Sequence, residues 1–166
     1  TGAARASCCA LGEATRGHNA VSSLIHAAAC QCDHTSELEV PGLVPGTDLR
    51  PADVLTSALD NAYTALDVSI CSAHASEAGI DCTQTRVDAK LDRYGPHLAV
   101  LLRQNISYTP IVWSAYGRPH QDTLTVLRSL SKSIARKRNF VSAEVVFHRL
   151  HSSITLEIWR RSARQI

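Results

Sequence analysis

Two aspartates have the spacing and surroundings of an acid pair for metal-dependent chemistry. Asp53 ends the segment Arg50-Pro51-Ala52-Asp53 at the start of a short apolar run. Asp67, with thirteen residues between the two, lies in the middle of the β-branched run 64–70. Carboxylates on neighbouring strands can share a divalent cation, which polarises a phosphodiester and activates water. The pair therefore predicts a site for metal-dependent phosphodiester chemistry.

Other residues supply the remaining groups that such a reaction needs. A cation must stabilise the charge that develops on the phosphate, and Lys90 on the next predicted helix can reach back over the strand ends. Tyr94 follows one turn later on the same helix face. Glu39, near the end of the first predicted strand, is a candidate third oxygen ligand or a group that orients water. Oxygen ligands of this kind suit Mg²⁺ or Mn²⁺.

Each of these residues also has an ordinary structural interpretation. An aspartate beside a loop, such as Asp53, is commonly a turn or edge residue, and Lys90 and Tyr94 fit a solvated lysine and a half-buried tyrosine. Asp67 is harder to explain in that way. A carboxylate flanked by apolar residues is disfavoured in a strand unless it has partners. Asp67 is therefore the residue on which the prediction depends most.

The charge distribution favours a polyanionic partner. Net charge is +2, but residues 1–85 hold three Lys/Arg against ten Asp/Glu, and residues 86–166 hold fourteen against five. A basic half beside an acidic centre suits DNA, although basic helices are often only solvated faces. A helix N-terminus near His18 and Asn19 would also favour a phosphate, or the pair would simply cap the helix. The remaining candidate DNA contacts are Arg128, Lys132, Arg136, Lys137, Arg138, Arg160, Arg161 and Arg164.

Hydrophobic periodicity predicts alternating helices and strands. The predicted helices are 17–29 with an N-cap at Thr15, 82–94 ended by Gly95-Pro96, 122–138 and 142–164. The predicted strands are 37–40, 52–55 and 63–71, with a turn at Asp60-Asn61, and a second hairpin within 107–116, where Pro110 indicates an edge or a bulge. This order predicts an α/β or α+β domain with a mixed central sheet flanked by helices.

Cysteine spacing leaves a zinc site open but does not favour it. Cys30-Cys32-His34 has ligand-like spacing, but a second half of the motif is missing. Free thiols in a reducing, intracellular compartment are the simpler expectation for the six cysteines.

Several short blocks, in order along nearly the whole chain, resemble one family. They are 17–21 (Gly-His-Asn-Ala-Val), 38–41, 50–54, 65–68, 90–95, 108–112 and 148–154. Together they are similar to the endonuclease domain that follows the reverse transcriptase in non-LTR-type retroelements. The resemblance implies the restriction-endonuclease-like PD-(D/E)XK fold. By position, Asp53 corresponds to the family's first acid, Asp67 to its second, Lys90 to a lysine displaced onto the helix, and Tyr94 to the tyrosine one turn later.

The resemblance also implies an activity and a context. The domain would use Mg²⁺ to nick target DNA by phosphodiester hydrolysis, inside the cell and in the nucleus, as part of a longer reverse-transcriptase polypeptide. Residues 1–14 would be the remnant of an upstream zinc-knuckle segment with Cys8 as its last ligand. Residues 15–166 would form a single endonuclease-like domain.

Two departures from the family pattern keep other functions open. Ser69 stands two residues after Asp67, where the general nuclease pattern has lysine, so activity would depend on Lys90. Ala52 separates Pro51 from Asp53. The alternatives are a catalytically inactive nucleic-acid-binding module of the same fold and a structural or assembly domain whose basic helices meet an acidic protein.

Overall fold

The computed structural model describes residues 2–59, 62–72, 79–139 and 141–163, with the backbone alone for residues 2–14. The helices are α1 (Gly2–Ala29), α2 (Cys82–Tyr94), α3 (Leu98–Arg103), α4 (Gln121–Arg138) and α5 (Ala143–Ser162), with a 3₁₀ turn at Gly95–His97. The strands are β1 (Glu37–Leu38), β2 (Val54–Thr56), β3 (Tyr63–Cys71) and β4 (Ile106–Ser114). None of the helices described has the length and apolar composition to cross a membrane.

The four strands form one mixed sheet in the order β1-β2-β3-β4. β1, β2 and β3 pair antiparallel in sequence. β3 and β4 pair parallel along their full length, from Tyr63 opposite Ile106 to Cys71 opposite Ser114. The chain is thus a mixed α/β domain with helices on both faces of its sheet, which confirms the predicted fold class.

Strand alternation assigns the two faces of the sheet. Leu66 and Val68 of β3 enter a core formed with α1, α4 and α5. Ala65, one residue out of phase, enters a second core with Leu101 of α3 and the loop around Leu43. Asp67 has the phase of Ala65, so it lies on the face covered by α2 and α3.

The N-terminal helix is longer than predicted. α1 begins at Gly2, so the predicted N-cap at Thr15 is wrong. Alanine has the highest helix propensity of all residues, and the alanine-rich segment 3–14 extends the helix upstream. The helix also runs across residue 15, where the domain boundary was placed; that division of the chain stays a prediction. The side chain of Cys8 and the turn at Asp60-Asn61 lie outside what the structure describes.

The second predicted hairpin, within 107–116, is wrong. β4 is one strand at the edge of the sheet, as Pro110 indicated, and it pairs with β3 in parallel. A parallel pair needs a long crossover, and α2, the 3₁₀ turn and α3 supply it. Gly95-Pro96 ends α2 as predicted, and the chain continues through the 3₁₀ turn into α3.

A buried aspartate fastens the turn after α1 to the end of β2. One carboxylate oxygen of Asp33 accepts hydrogen bonds from the Thr35 N–H (2.9 Å) and hydroxyl (2.7 Å). The other accepts from the Thr56 hydroxyl and the Ser57 N–H, both at 2.7 Å. Burial alone would raise the pKa of Asp33, but the hydrogen bonds from Thr56 and Thr35 and from the backbone hold it well below its usual range.

Replacing Asp33 by alanine is expected to lower the free energy of unfolding by about 2–4 kcal/mol, because the buried Thr56 hydroxyl loses its acceptor. The stabilisation from a depressed pKa is present above the ordinary aspartate pKa of about 4 and is lost as pH falls through the folded-state value. Urea unfolding at pH 7 and pH 3 measures both effects. Asp48→Ala, at an exposed loop position, is the control; an equal loss in both variants contradicts the prediction.

Candidate active site

Asp53 and Asp67 lie close together, one just before β2 and one within β3. β2 pairs with β3 so that Val54 is opposite Leu66, and Asp53 directly precedes that paired segment. The Asp53 N–H donates to the Leu66 carbonyl (3.0 Å), and its carboxylate accepts the Val68 N–H (2.7 Å). Two carboxylates this close repel each other, and the charge of Asp53 raises the pKa of Asp67. The pair therefore needs a cation close by.

Lys90 is that cation. Its ammonium nitrogen lies 2.5 Å from one oxygen of Asp67 and 3.4 Å from the Val68 carbonyl. Both side chains are largely buried, with 15% of the Lys90 and 5% of the Asp67 side chain exposed. The ammonium and the two carboxylates thus lie close together beside the first residue of β2.

The docking of α2 along β3 explains why Lys90 reaches Asp67. Four residues of a helix advance about 6 Å along its axis, and two residues of a strand advance about 6.6 Å. Every fourth side chain of a helix can therefore contact every second side chain of a strand that it lies along. α2 runs antiparallel to β3 and makes three such contacts. They are the Cys71 thiol to the Cys82 carbonyl (3.3 Å), Arg86 Nε to the Ser69 hydroxyl (2.8 Å), and Lys90 to Asp67.

The tyrosine that contacts Asp67 is not the predicted one. Tyr108 of β4 donates its hydroxyl to the second oxygen of Asp67 at 2.6 Å. Tyr94 packs against Tyr108, with ring centroids 5.0 Å apart, and donates to the Arg50 carbonyl (3.2 Å). The sequence analysis missed Tyr108 because only the parallel β3–β4 pairing, with Tyr108 opposite Ala65, brings it beside Asp67.

His18 joins the site through Asp53. Its Nε2 lies 3.2 Å from the second carboxylate oxygen of Asp53. Because α1 begins far upstream, His18 and Asn19 do not occupy a helix N-terminus, and the phosphate site predicted there on that ground is wrong. Asn19 is exposed, and its backbone carbonyl accepts from Ser23.

Burial and charge shift the pKa values of the site in opposite directions. Burial raises the pKa of Asp67, which the neighbouring Lys90 lowers and Asp53 raises further. The hydrogen bond to Asp53 raises the pKa of His18 above its ordinary value. Burial and the Asp67 charge raise the pKa of Tyr108, which keeps it a hydrogen-bond donor.

The carboxylate pair fits Mg²⁺ better than a metal held in an all-protein cage. Among the described residues, no three side chains of His, Cys, Asp or Glu gather as a metal-binding group. Glu39 donates its N–H to the Asp53 carbonyl (2.9 Å), but its exposed side chain does not complete such a group. Mg²⁺ commonly binds through one or two carboxylates and takes its other ligands from water and substrate phosphates. Asp53 and Asp67 suit that mode.

The Cys30-Cys32-His34 segment does not form a zinc site with other described side chains. The Cys30 sulfur lies 3.4 Å from Nε2 of His26, and His34 lies 3.4 Å from the Lys137 ammonium. Cys30 and Cys32 are free thiols, as are Cys71 and Cys82.

A cleft of about 410 Å³ opens next to the carboxylate pair. Its lining includes His18 of α1, Arg86 of α2 and Arg161 of α5. Ser69 also lines it, in the part of β3 that continues past Leu66, the last residue paired with β2. The cleft adjoins the acid pair through His18, which contacts Asp53, and through Ser69, two residues after Asp67.

The basic residues predicted on α4 lie elsewhere. Arg128 stacks over the Phe147 ring at 5.0 Å, and Lys132 is exposed on the helix surface. Arg136 and Lys137 line a groove with Ser57, and Lys137 donates to the Cys32 carbonyl (3.3 Å). Arg138 lines another groove, between α1, α4 and α5.

The groove lined by Ser57, Arg136 and Lys137 is separated from the cleft by most of the length of β3. Ser57 follows β2 at the end of the sheet where β3 begins, since Thr56 pairs with Thr64. Ser69, which lines the cleft, is five residues further along β3, or about 17 Å. The last turn of α4 is therefore near the opposite end of the sheet from the cleft.

The His18–Asp53 contact makes a prediction for an NMR titration in EDTA. His18 should titrate above about 6.5, the ordinary histidine value, and Asp53→Asn should lower its pKa because the charged acceptor is lost. The stabilisation from protonated His18 is present below about 6.5 and is lost as pH rises through the folded-state pKa. Asp48→Asn is the control, and an unchanged His18 pKa in Asp53→Asn contradicts the assignment.

Comparisons of the chain with protein-family models, curated proteins and solved structures found no significant match. The family resemblance therefore rests on the ordered blocks of residues described above, and any function has to be argued from the geometry of the site.

Proposed function

We propose that the chain is a metal-dependent DNA endonuclease domain of the PD-(D/E)XK type, from a retroelement. One observation carries the proposal: the Lys90 ammonium meets the buried Asp67 carboxylate, and the Asp53 carboxylate accepts the N–H of the next residue, Val68. Metal-dependent hydrolysis of a phosphodiester needs carboxylates that bind the metal ion and a cation that stabilises the charge on the phosphate.

The position of Lys90 supports the proposal in spite of Ser69. In the general nuclease pattern a strand lysine stands two residues after the second acid, and here that position is a serine that accepts a hydrogen bond from Arg86. The next contact along α2 brings Lys90 to Asp67 itself. The helix thus delivers to the site the ammonium group that the strand lacks.

Each residue has a part that follows from its contacts. Asp53 and Asp67 would hold Mg²⁺ or Mn²⁺, and the bound cation would polarise the phosphate. Lys90 has three N–H donors; one bonds Asp67 and a second the Val68 carbonyl, so the third would serve a phosphate oxygen or the attacking water. The Tyr108 hydroxyl fixes the orientation of the Asp67 carboxylate. The His18 contact does the same for Asp53.

The retroelement context belongs to the same proposal. The ordered blocks that resemble those of retroelement endonucleases support a longer reverse-transcriptase polypeptide, which would act on genomic DNA in the nucleus. Nicking of a target strand is the step it would perform there.

Asp67→Asn is expected to reduce plasmid nicking in Mg²⁺ by roughly 100-fold or more, because it removes a buried charge from the acid pair. Supercoiled plasmid is incubated with each purified variant, and conversion to the open circle is followed on a gel. Asp48→Asn, a charge loss at an exposed loop position, should nick like the wild type. Equal nicking by wild type and Asp67→Asn would refute the proposed site.

Lys90→Met tests whether the helix-borne cation is needed. Nicking should fall by about 100-fold, while Lys90→Arg, which keeps the charge but changes its shape, should retain part of the activity. Arg103→Met, at an exposed residue at the end of α3, is the control. Circular dichroism excludes unfolding as the cause, and full activity of a folded Lys90→Met protein would contradict the assigned role.

One observation favours an inactive nucleic-acid-binding module as the second candidate. All four oxygens of the acid pair already have an internal partner: His18 and Val68 for Asp53, Lys90 and Tyr108 for Asp67. A module of this kind would bind DNA without metal, and binding would survive loss of both acids. Salt-sensitive DNA binding by a wild-type protein that does not nick would select it over the endonuclease. Failure to bind DNA even at low salt would favour an assembly domain.

A further inference from the structure

The cleft beside the acid pair has the composition of an anion-binding surface. Among the described residues its lining includes three basic side chains, His18, Arg86 and Arg161, and no acidic one. Ser69 and Ser162 add hydroxyl groups. Phosphate oxygens in DNA are contacted mainly by arginine, lysine and hydroxyl groups of this kind.

Arg86 is held in place for such a contact. Its Nε donates to the Ser69 hydroxyl at 2.8 Å, which fixes the base of the guanidinium on β3. Arginine has five N–H donors in a planar fork, and this bond uses one of them. The residue is exposed and lies one turn before Lys90 on α2. An incoming strand that contacts Lys90 would therefore meet Arg86 next.

Arg161 forms the opposite wall. The aliphatic part of its side chain packs against α1 at Gly17, where an added Cβ would lie 3.7 Å from Arg161. This contact joins the α1 and α5 sides of the cleft. The Arg161 Nε pairs with Glu157 at 2.8 Å, and Arg160 shares that carboxylate at 3.8 Å. Two guanidinium groups thus share the Glu157 carboxylate at this end of α5.

We infer that this cleft holds the sugar–phosphate backbone of the DNA strand that is cut, with Arg86 and Arg161 contacting phosphates next to the one at Asp67. The inference rests on the proposed function for the identity of the ligand. The sequence-based expectation already included His18 and Arg161 among the DNA contacts; the inference adds Arg86 and leaves out the basic residues of α4. The last turn of α4 lies near the other end of the sheet, where Lys137 already bonds the Cys32 carbonyl.

The test compares two double variants that each remove two positive charges. Binding of a fluorescently labelled duplex is measured by anisotropy in EDTA, between 50 and 200 mM salt. Arg86→Gln/Arg161→Gln should bind about 10-fold more weakly at 50 mM salt, with a log–log salt slope lower by about two, since each lost phosphate contact removes about 0.9. Lys132→Gln/Arg136→Gln, on α4, should change both quantities less.

Folding and charge have their own controls. Arg86→Gln alone should lower the salt slope by about one, and circular dichroism checks that this variant, which loses the bond to Ser69, remains folded. Arg103→Gln, at an exposed arginine outside the cleft, should leave the slope unchanged. An equal or larger effect of the α4 variant, or wild-type binding by the cleft variant, would overturn the inference.

The outcome is separable from that of the proposed function. If the wild type binds but does not nick, and the cleft variant loses affinity, the cleft assignment stands and the endonuclease proposal fails. If the wild type nicks and the cleft variant binds and nicks equally well, the cleft assignment fails and the endonuclease proposal stands.

Discussion

The burial of Asp67 beside Asp53 is the constraint on which the rest of the site depends. A carboxylate in a strand interior loses its hydration, and the nearby Asp53 carboxylate adds repulsion. Lys90 offsets both costs, but only when α2 lies along β3 in the observed register. Removing one partner of a buried pair costs about 3–5 kcal/mol, because the other charge is left uncompensated. The helix position is therefore fixed by an electrostatic requirement as well as by packing.

The same register explains how a serine can stand where a strand lysine is the rule. Ser69 and Asp67 face α2 together, two residues apart on β3. Arg86 meets the serine and Lys90 meets the aspartate. A lysine at 69 would place a third cation against Arg86 and Lys90. With two cations on the helix, an uncharged acceptor on the strand is the arrangement that avoids this repulsion.

The sequence predicted the features that depend on local patterns and missed the contacts between residues far apart in the chain. β3 and α2 have the predicted bounds, because strand alternation and helical periodicity are local. Asp67 was recognised because a carboxylate in an apolar strand is locally anomalous. The partnership of Tyr108 with Asp67 depends on parallel pairing across a long crossover, and the buried anchor Asp33 depends on Thr56, more than twenty residues away. Periodicity in one segment carries no information about such pairings.

The distribution of charge shows the same limit. The sequence is acidic in its first half and basic in its second, which predicted DNA contacts mainly on the two basic C-terminal helices. The three basic side chains of the cleft come from both halves: His18 from the first, Arg86 and Arg161 from the second. They meet because α1 packs against the stem of Arg161 at Gly17 and because α2 runs along β3. A polyanion responds to the potential at a surface, and that potential is set by which elements pack together and not by which charges are neighbours in the chain.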